Sequence, residues 1–362
     1  MRPDELERRL RERLDALGPA PRAELLHVLM LPDFERAAGN GRANPERGLS
    51  PGAMAVKKPR GLILAAMSQS EELDKWAEWL LHRRDGDDDE QRRQALSYLV
   101  PVRDRVLDNA RIAPGEVLLD VGAGDGLIAF GAMGRVQPGG RVIFSDISED
   151  LIDHARAAAE DLGFVDQISF LACSAEDLSA IEGASVDVVT TRSVLIYVAD
   201  KAKAFVEFAR VLRPGGRLSI FEPINNYFPV SADEFWGFEA KPVSDLVQKV
   251  YECEGWTASN ADDPMMNFTD KDLVRYAEEA GFAELGLDLK VEVKPSTWVV
   301  DWDRLLNTSP NPNAHTLGES LERALTTDER ESLTEHIQPL ADAGRAVWRS
   351  AEAYLTASKA NH

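Results

Sequence analysis

Three glycines at alternate positions follow an acidic residue in EVLLDVGAGDGLIAF, residues 116–130: Asp120, then Gly122, Gly124 and Gly126. The apolar run before Asp120 reads as a strand, and the apolar sequence after Gly126 as a helix. Between such elements, glycines permit a tight turn and let backbone amides approach a ligand closely, which suits a nucleotide-like cofactor. A second apolar run, RVIFSD, ends on Asp146. A carboxylate at that point accepts hydrogen bonds from both hydroxyls of a ribose. The competing reading of Asp146 is a turn or helix-capping aspartate.

Further along stand CSAEDL, residues 173–178, and VDVVTTRSVLIYV, residues 186–198, followed by ADKAKAFVEFARVLRPGGRLSIFEP. In order and spacing, these stretches and the glycine loop resemble the class I S-adenosylmethionine-dependent methyltransferases over residues 94–221. The resemblance implies S-adenosylmethionine as cofactor and S-adenosylhomocysteine as product. It carries over Asp120, Gly122, Gly124 and Gly126 to the methionine part and Asp146 to the ribose, with Ala123 and Ile147 also at the cofactor site. Ser174, Ala175 and Glu176 fall to the adenine, and Arg192 and Ser193 to the methionine side. Nicotinamide-dependent oxidoreductases use a related loop, GxGxxG, but its third glycine falls on Leu127 here.

Methyl transfer from a sulfonium is an in-line displacement, so holding the nucleophile collinear with the methyl group supplies much of the acceleration. A side-chain base is needed only where the nucleophile must lose a proton. Tyr197 and Glu222, close to the ends of two strands, are the candidate catalytic residues, with Glu222 read as pointing into the crevice to orient or deprotonate the substrate. Tyr227, Phe235 and Trp236 are candidates for an apolar acceptor pocket, and His315, in the loop NTSPNPNAHTLG, for a base. Packing is the competing reading for Tyr197 and for the aromatics, and plain exposure for His315.

The elements that must position these residues alternate. Strand patterns at 116–121, 141–146, 168–172, 186–190 and 217–221 enclose helical spacing at 148–162 and 199–212, and strand patterns recur at 286–294 and 351–359. This predicts an α/β fold: a Rossmann-like, doubly wound, mostly parallel seven-stranded sheet, with a helical insert between the sixth and seventh strands. LRPGG, residues 212–216, reads as a helix stop and turn. Thr269 and Asp272 form a capping box before a helix that Gly281 ends.

The expected organisation is a catalytic domain over 94–362, with cover segments at 223–268 and 302–348, preceded by a helical region at 1–93. That region carries a leucine stripe (Leu6, Leu10, Leu14, Leu17), a second helical stretch at 21–38 and a loop at 39–52. A Ser68–Glu71 capping box precedes a further helix with Leu73, Trp76, Trp79 and Leu80. Accessory, lid and homodimerising roles all fit region 1–93. The run RRDGDDDEQRR, residues 83–93, reads as a solvated linker.

A net charge of -21 repels phosphate backbones and anionic lipid, which argues against a nucleic acid or membrane partner and for a small-molecule substrate. Two cysteines build neither a disulfide framework nor a zinc site, so no metal is implied, and no run is long and apolar enough to span a bilayer. The expectation is a soluble cytoplasmic enzyme. A regulatory protein that binds the cofactor without transferring methyl groups is the alternative from another class.

Overall fold

The computed structural model describes residues 72–86, 88–256, 262–296 and 301–361. The leucine stripe, the helical stretch at 21–38, the loop at 39–52 and the Ser68–Glu71 capping box lie outside the described residues. So does the surface expected to pair two copies.

The described chain begins with a short helix, α1 (Lys75–Glu78), that continues as a π-helical turn, Trp79–Arg83, and then a long helix, α2 (Asp89–Ala110). Alternation follows: β1 (Val117–Val121), α3 (Leu127–Val136), β2 (Arg141–Asp146), α4 (Glu149–Leu162), β3 (Ile168–Ala172), β4 (Val186–Arg192), α5 (Lys201–Val211) and β5 (Leu212–Pro223). A two-stranded ribbon, β6 (Glu234–Phe235) and β7 (Phe238–Glu239), precedes α6 (Ser244–Glu254), α7 (Asp270–Glu279) and β8 (Phe282–Pro295). Helices α8 (Trp302–Leu306), α9 (Leu317–Ala324) and α10 (Thr327–Asp342) intervene before β9 (Val347–Lys359).

The seven-stranded sheet has the order β3-β2-β1-β4-β5-β9-β8. Its first five strands are parallel, and β9 runs antiparallel to both neighbours. The expected doubly wound fold, with a helical insert between its last two strands in sequence, is therefore present. Strand order reverses between β1 and β4, where a crevice opens at the carboxyl ends. β1 is buried along its whole length, which is why VLLDV shows no polar alternation, whereas edge strand β8 alternates.

Local signals explain most boundaries. Ser148 caps α4 by accepting from the Leu151 amide, Gly163 ends it in the left-handed conformation, and the Thr269–Asp272 capping box opens α7. The helix stop at LRPGG holds, since α5 ends at Val211 with Leu212 as its cap, but the turn is a correction: the stretch opens β5, bulged so that Leu212 pairs with Val186 while Arg217 already pairs with Val188. The run at 83–93 is another. Asp85 is buried between Arg84 at 3.3 Å and Arg92 at 3.7 Å, and α2 crosses position 93. Opposite charges within the run satisfy one another, so it folds rather than staying a solvated linker.

Two of the apolar cores among the described residues bear on the site and its cover. One lies between the sheet and helices α5 and α7, around Leu119, Val189, Phe205, Phe208 and Phe268. The other joins the ribbon and α6 (Phe235, Phe238, Val247, Val250) to the helices between β8 and β9 (Trp302, Leu317, Leu321, Leu333, Ile337).

Candidate functional site

A cavity opens at the switch point of the sheet, above the ends of β1, β2 and β4. Its lining contains Asp120, Gly122, Ala123, Gly124, Asp146, Ile147, Ser174, Ala175, Glu176, Arg192 and Ser193, which is every residue the sequence assigned to the cofactor except Gly126. Gly126 has φ +91°, and a Cβ there would meet the Phe130 ring at 2.3 Å. It shapes the turn into α3 instead of bordering the cavity.

The loop is held by Asp146. One carboxylate oxygen, Oδ2, accepts from the Gly124 amide at 2.9 Å, and Oδ1 accepts from the Ser148 amide at 3.0 Å. Each oxygen keeps a further lone pair for a ligand. Burial raises the Asp146 carboxyl above the usual carboxylate range, against the pull of those amides. Asp120 accepts from the Thr190 hydroxyl at 2.8 Å, and burial pushes its carboxyl up to about 7. Arg192 faces the same space: burial lowers its guanidinium, which the Asp125 and Asp120 carboxylates oppose. Across the cavity, Glu176 Oε1 accepts from the Asp200 amide at 2.6 Å and fixes the loop after β3 to the start of α5.

One wall was not read from the sequence as part of a site. Trp76, Trp79 and Leu80 border the cavity, with the Leu80 side chain 3.0 Å from where a Cβ on Gly124 would stand. Asp74 anchors this wall: its Oδ1 caps α1 through the Trp76 and Ala77 amides, and its Oδ2 accepts from the Ser148 hydroxyl at 2.6 Å. On the other side Trp79 Nε1 donates to the Ser309 carbonyl at 2.9 Å, so the insert clasps the wall. The tryptophans were visible as a helical stripe, but that pattern does not say what the stripe faces.

Tyr197 borders the cavity, and its ring packs edge-on against Trp76. Burial raises its phenol above the ordinary range. Glu222 is a correction to its reading as a base or orienting group for substrate. It is fully buried, with Oε1 accepting from the Val194 and Leu195 amides at 2.9 Å each and Oε2 accepting from the Ile196 amide at 3.2 Å. Ser193, at φ +55°, turns the chain so that these amides converge on the carboxylate. Glu222 thereby shapes the floor of the site, and burial pushes it up to about 7.

The acceptor-pocket candidates do not gather as expected. Phe235 is fully buried in the core of the insert, and Tyr227 is exposed and packs against Phe228. His315 Nδ1 lies 3.1 Å from Glu254 Oε2, away from the switch-point cavity. Trp236 lines a second cavity, of about 950 Å³, between residues 223–239 and the start of β9.

Comparison with known proteins agrees with this geometry. Residues 112–281 match a family model described as a methyltransferase domain. The tRNA 5-carboxymethoxyuridine methyltransferase of Escherichia coli (strain K12) is 38% identical over 32% of this chain and 43% of its own length. Nocamycin O-methyltransferase of Saccharothrix syringae is 35% identical over 36% of this chain and 45% of its length. The ubiquinone/menaquinone biosynthesis C-methyltransferase UbiE of Hahella chejuensis is 30% identical over 42% of this chain and 54% of its length. The chain thus spans about half the length of these relatives.

Proposed function

We propose that this chain, which belongs to the class I S-adenosylmethionine-dependent methyltransferase superfamily, transfers the cofactor's methyl group to a small-molecule acceptor. The observation that carries the reading is the convergence of the glycine loop, Asp146, the 174–176 loop and Arg192 on one cavity at the switch point.

The lining fits the cofactor part by part. Asp146 offers its remaining lone pairs to the ribose hydroxyls, while Ile147 and Ala175 offer apolar contact and Glu176 polar contact to the adenine. The cationic Arg192 suits the carboxylate of the amino-acid end. Bound there, S-adenosylmethionine supplies an electrophilic methyl group on a sulfonium. The chain's part is to orient, to exclude water with Trp76, Trp79 and Leu80, and to leave an in-line path for the nucleophile.

The relatives methylate different acceptors by name, including a tRNA base, so the acceptor class rests on this chain's own charge. A net charge of -21 opposes a phosphate backbone and favours a small molecule. Among the described residues no helix is long and apolar enough to cross a membrane, which agrees with a soluble enzyme at work in the cytoplasm. The experiment is incubation of the full chain with methyl-labelled cofactor and a metabolite extract, with products identified by mass spectrometry. Label in a metabolite supports the reading. Tight binding of S-adenosylhomocysteine with no labelled metabolite refutes methyl transfer to small molecules and favours a regulatory role.

A further inference from the structure

The second cavity has features of a built site that the cofactor does not need. Its walls include Phe228, Trp236, Tyr251 and Trp348, and at its inner end Tyr98 on α2 donates its hydroxyl to Glu352 Oε1 at 3.0 Å. Glu352 is 2% exposed. On the same strand, Ser350 lines the cavity with a buried hydroxyl that has no hydrogen-bond partner among the described residues. A buried hydroxyl without a partner is costly and marks a place where a ligand or water completes the bonding.

Sheet register places this site beside the methyl-transfer centre. Arg192 on β4 pairs with Phe221 on β5, which pairs with Tyr354 on β9, so the three side chains share one face. Glu352 lies two residues along β9 on that face, toward the ends where β4 and β5 emerge. Two strand spacings separate Arg192 from Tyr354, about 10 Å. Arg192 lines the cofactor cavity and is near enough to Tyr98 for its charge to act on the phenol.

We propose that the second cavity is the acceptor site, and that Tyr98 and Glu352 hold the hydrogen-bond-donating group of a neutral or cationic acceptor with an apolar, ring-sized body. The proposal rests on the methyltransferase reading and gives that reading its substrate class. Glu352 keeps Oε2 for an acceptor O–H or N–H while Tyr98 occupies Oε1. Burial and the Glu352 carboxylate hold the Tyr98 phenol above its ordinary range, so it remains a donor. The charge of the lining selects against anions: Asp233, Glu234, Glu239 and Glu352 face a single arginine, Arg349, which is itself paired with Glu234 at 2.7 Å. An anionic acceptor of the same size would meet uncompensated carboxylates.

The test uses two probes with the same ring and opposite charge, tyramine and 4-hydroxyphenylacetate, titrated by ligand-observed NMR into the full chain saturated with S-adenosylhomocysteine. Tyramine is expected to bind and 4-hydroxyphenylacetate to bind at least tenfold more weakly. Glu352→Gln and Trp348→Ala should each weaken tyramine at least fivefold and leave S-adenosylhomocysteine affinity, read by calorimetry, within twofold. The proposal is overturned if tyramine does not bind, if 4-hydroxyphenylacetate binds as well, or if neither variant changes tyramine binding. If Glu352→Gln loses cofactor affinity as well, Trp348→Ala and Tyr98→Phe decide. Failure of the wild-type chain to bind S-adenosylhomocysteine at all would instead sink the methyltransferase reading itself.

Discussion

Trp76 stands edge-on to Tyr197, with ring centroids 5.1 Å apart and planes inclined at 78°. One ring comes from the short helix ahead of the sheet and the other from the turn after β4, so the pair closes the cofactor cavity across its width. An aromatic pair contributes about 0.5 to 1.5 kcal/mol beyond the area it buries. Trp76→Ala should therefore weaken S-adenosylhomocysteine by roughly tenfold, since about 1.4 kcal/mol corresponds to that factor. Calorimetry on the two proteins checks it, and equal affinities would remove the wall from the site. Tyr197→Phe keeps the ring and should hold the methyl-transfer rate within about threefold of wild type. A hundredfold loss in that variant would make the phenol a catalytic group after all.

Asp146 binds two backbone amides with the same carboxylate that is expected to meet the ribose. Asp146→Ala should therefore cost cofactor affinity and loop position together. Hydrogen bonds to a charged group contribute about 1.5 to 3 kcal/mol each, so a loss of at least tenfold in affinity is expected. The melting temperature should fall as well, because the Gly124 and Ser148 amides lose their acceptor. If affinity stays unchanged in the variant, the ribose role is wrong. Gly124→Val is a poorer probe of the same site: φ is +57° there, so a β-branched residue strains the loop before it meets any ligand.

Asp120 and Glu222 make stability depend on pH in an unusual direction. Their ordinary values are 3.8 and 4.5, and burial raises both to about 7 in the folded chain. The folded state thus holds these protons more tightly than the unfolded state. Their contribution to stability is complete below about pH 4 and is lost as pH rises toward 7. For Glu222 the shift corresponds to a change on the order of 3 kcal/mol. Urea unfolding at pH 5, 6, 7 and 8 should show a shallower decline in Glu222→Gln than in wild type. Parallel declines in the two proteins would mean that Glu222 does not titrate in this range.

The residues legible in the sequence were those fixed by one local strand-turn-helix unit. The glycine loop needs only β1 and α3, and Asp146 and the 174–176 loop each end a strand whose place in the sheet follows from the alternation. Glu222 was misread for a physical reason. A carboxylate at a strand end looks free in sequence, whereas its partners are three amides of a turn that β4 brings alongside through the left-handed Ser193. Tyr98, Glu352 and Trp76 were not legible because each reaches its site by long-range packing, with Tyr98 and Glu352 254 positions apart in the chain. Phe235 was misplaced because an aromatic in a loop-like segment looks the same in sequence whether it faces a ligand or a core.

The last prediction concerns how the covering elements move. Phe235, Phe238, Val247 and Val250, from the segment after β5, share one core with Trp302, Leu317, Leu321, Leu333 and Ile337, from between β8 and β9. Segments that share a core open as one cooperative unit, since exposing either removes the partner of the other. The same unit reaches the cofactor wall through Trp79 Nε1 and the Ser309 carbonyl. Leu333 is fully buried on α10, and a buried Leu→Ala change costs about 2 to 5 kcal/mol. Leu333→Ala should therefore speed amide exchange in α6 and α9 together, although neither helix carries the substitution, and leave β1, β2 and β4 at wild-type protection. S-adenosylhomocysteine should slow that exchange, because closing the Trp76–Leu80 wall favours the docked insert. Native-state hydrogen exchange read by mass spectrometry resolves these segments. Faster exchange in α10 alone would show that the cover is not one unit and that its two segments act on the site separately.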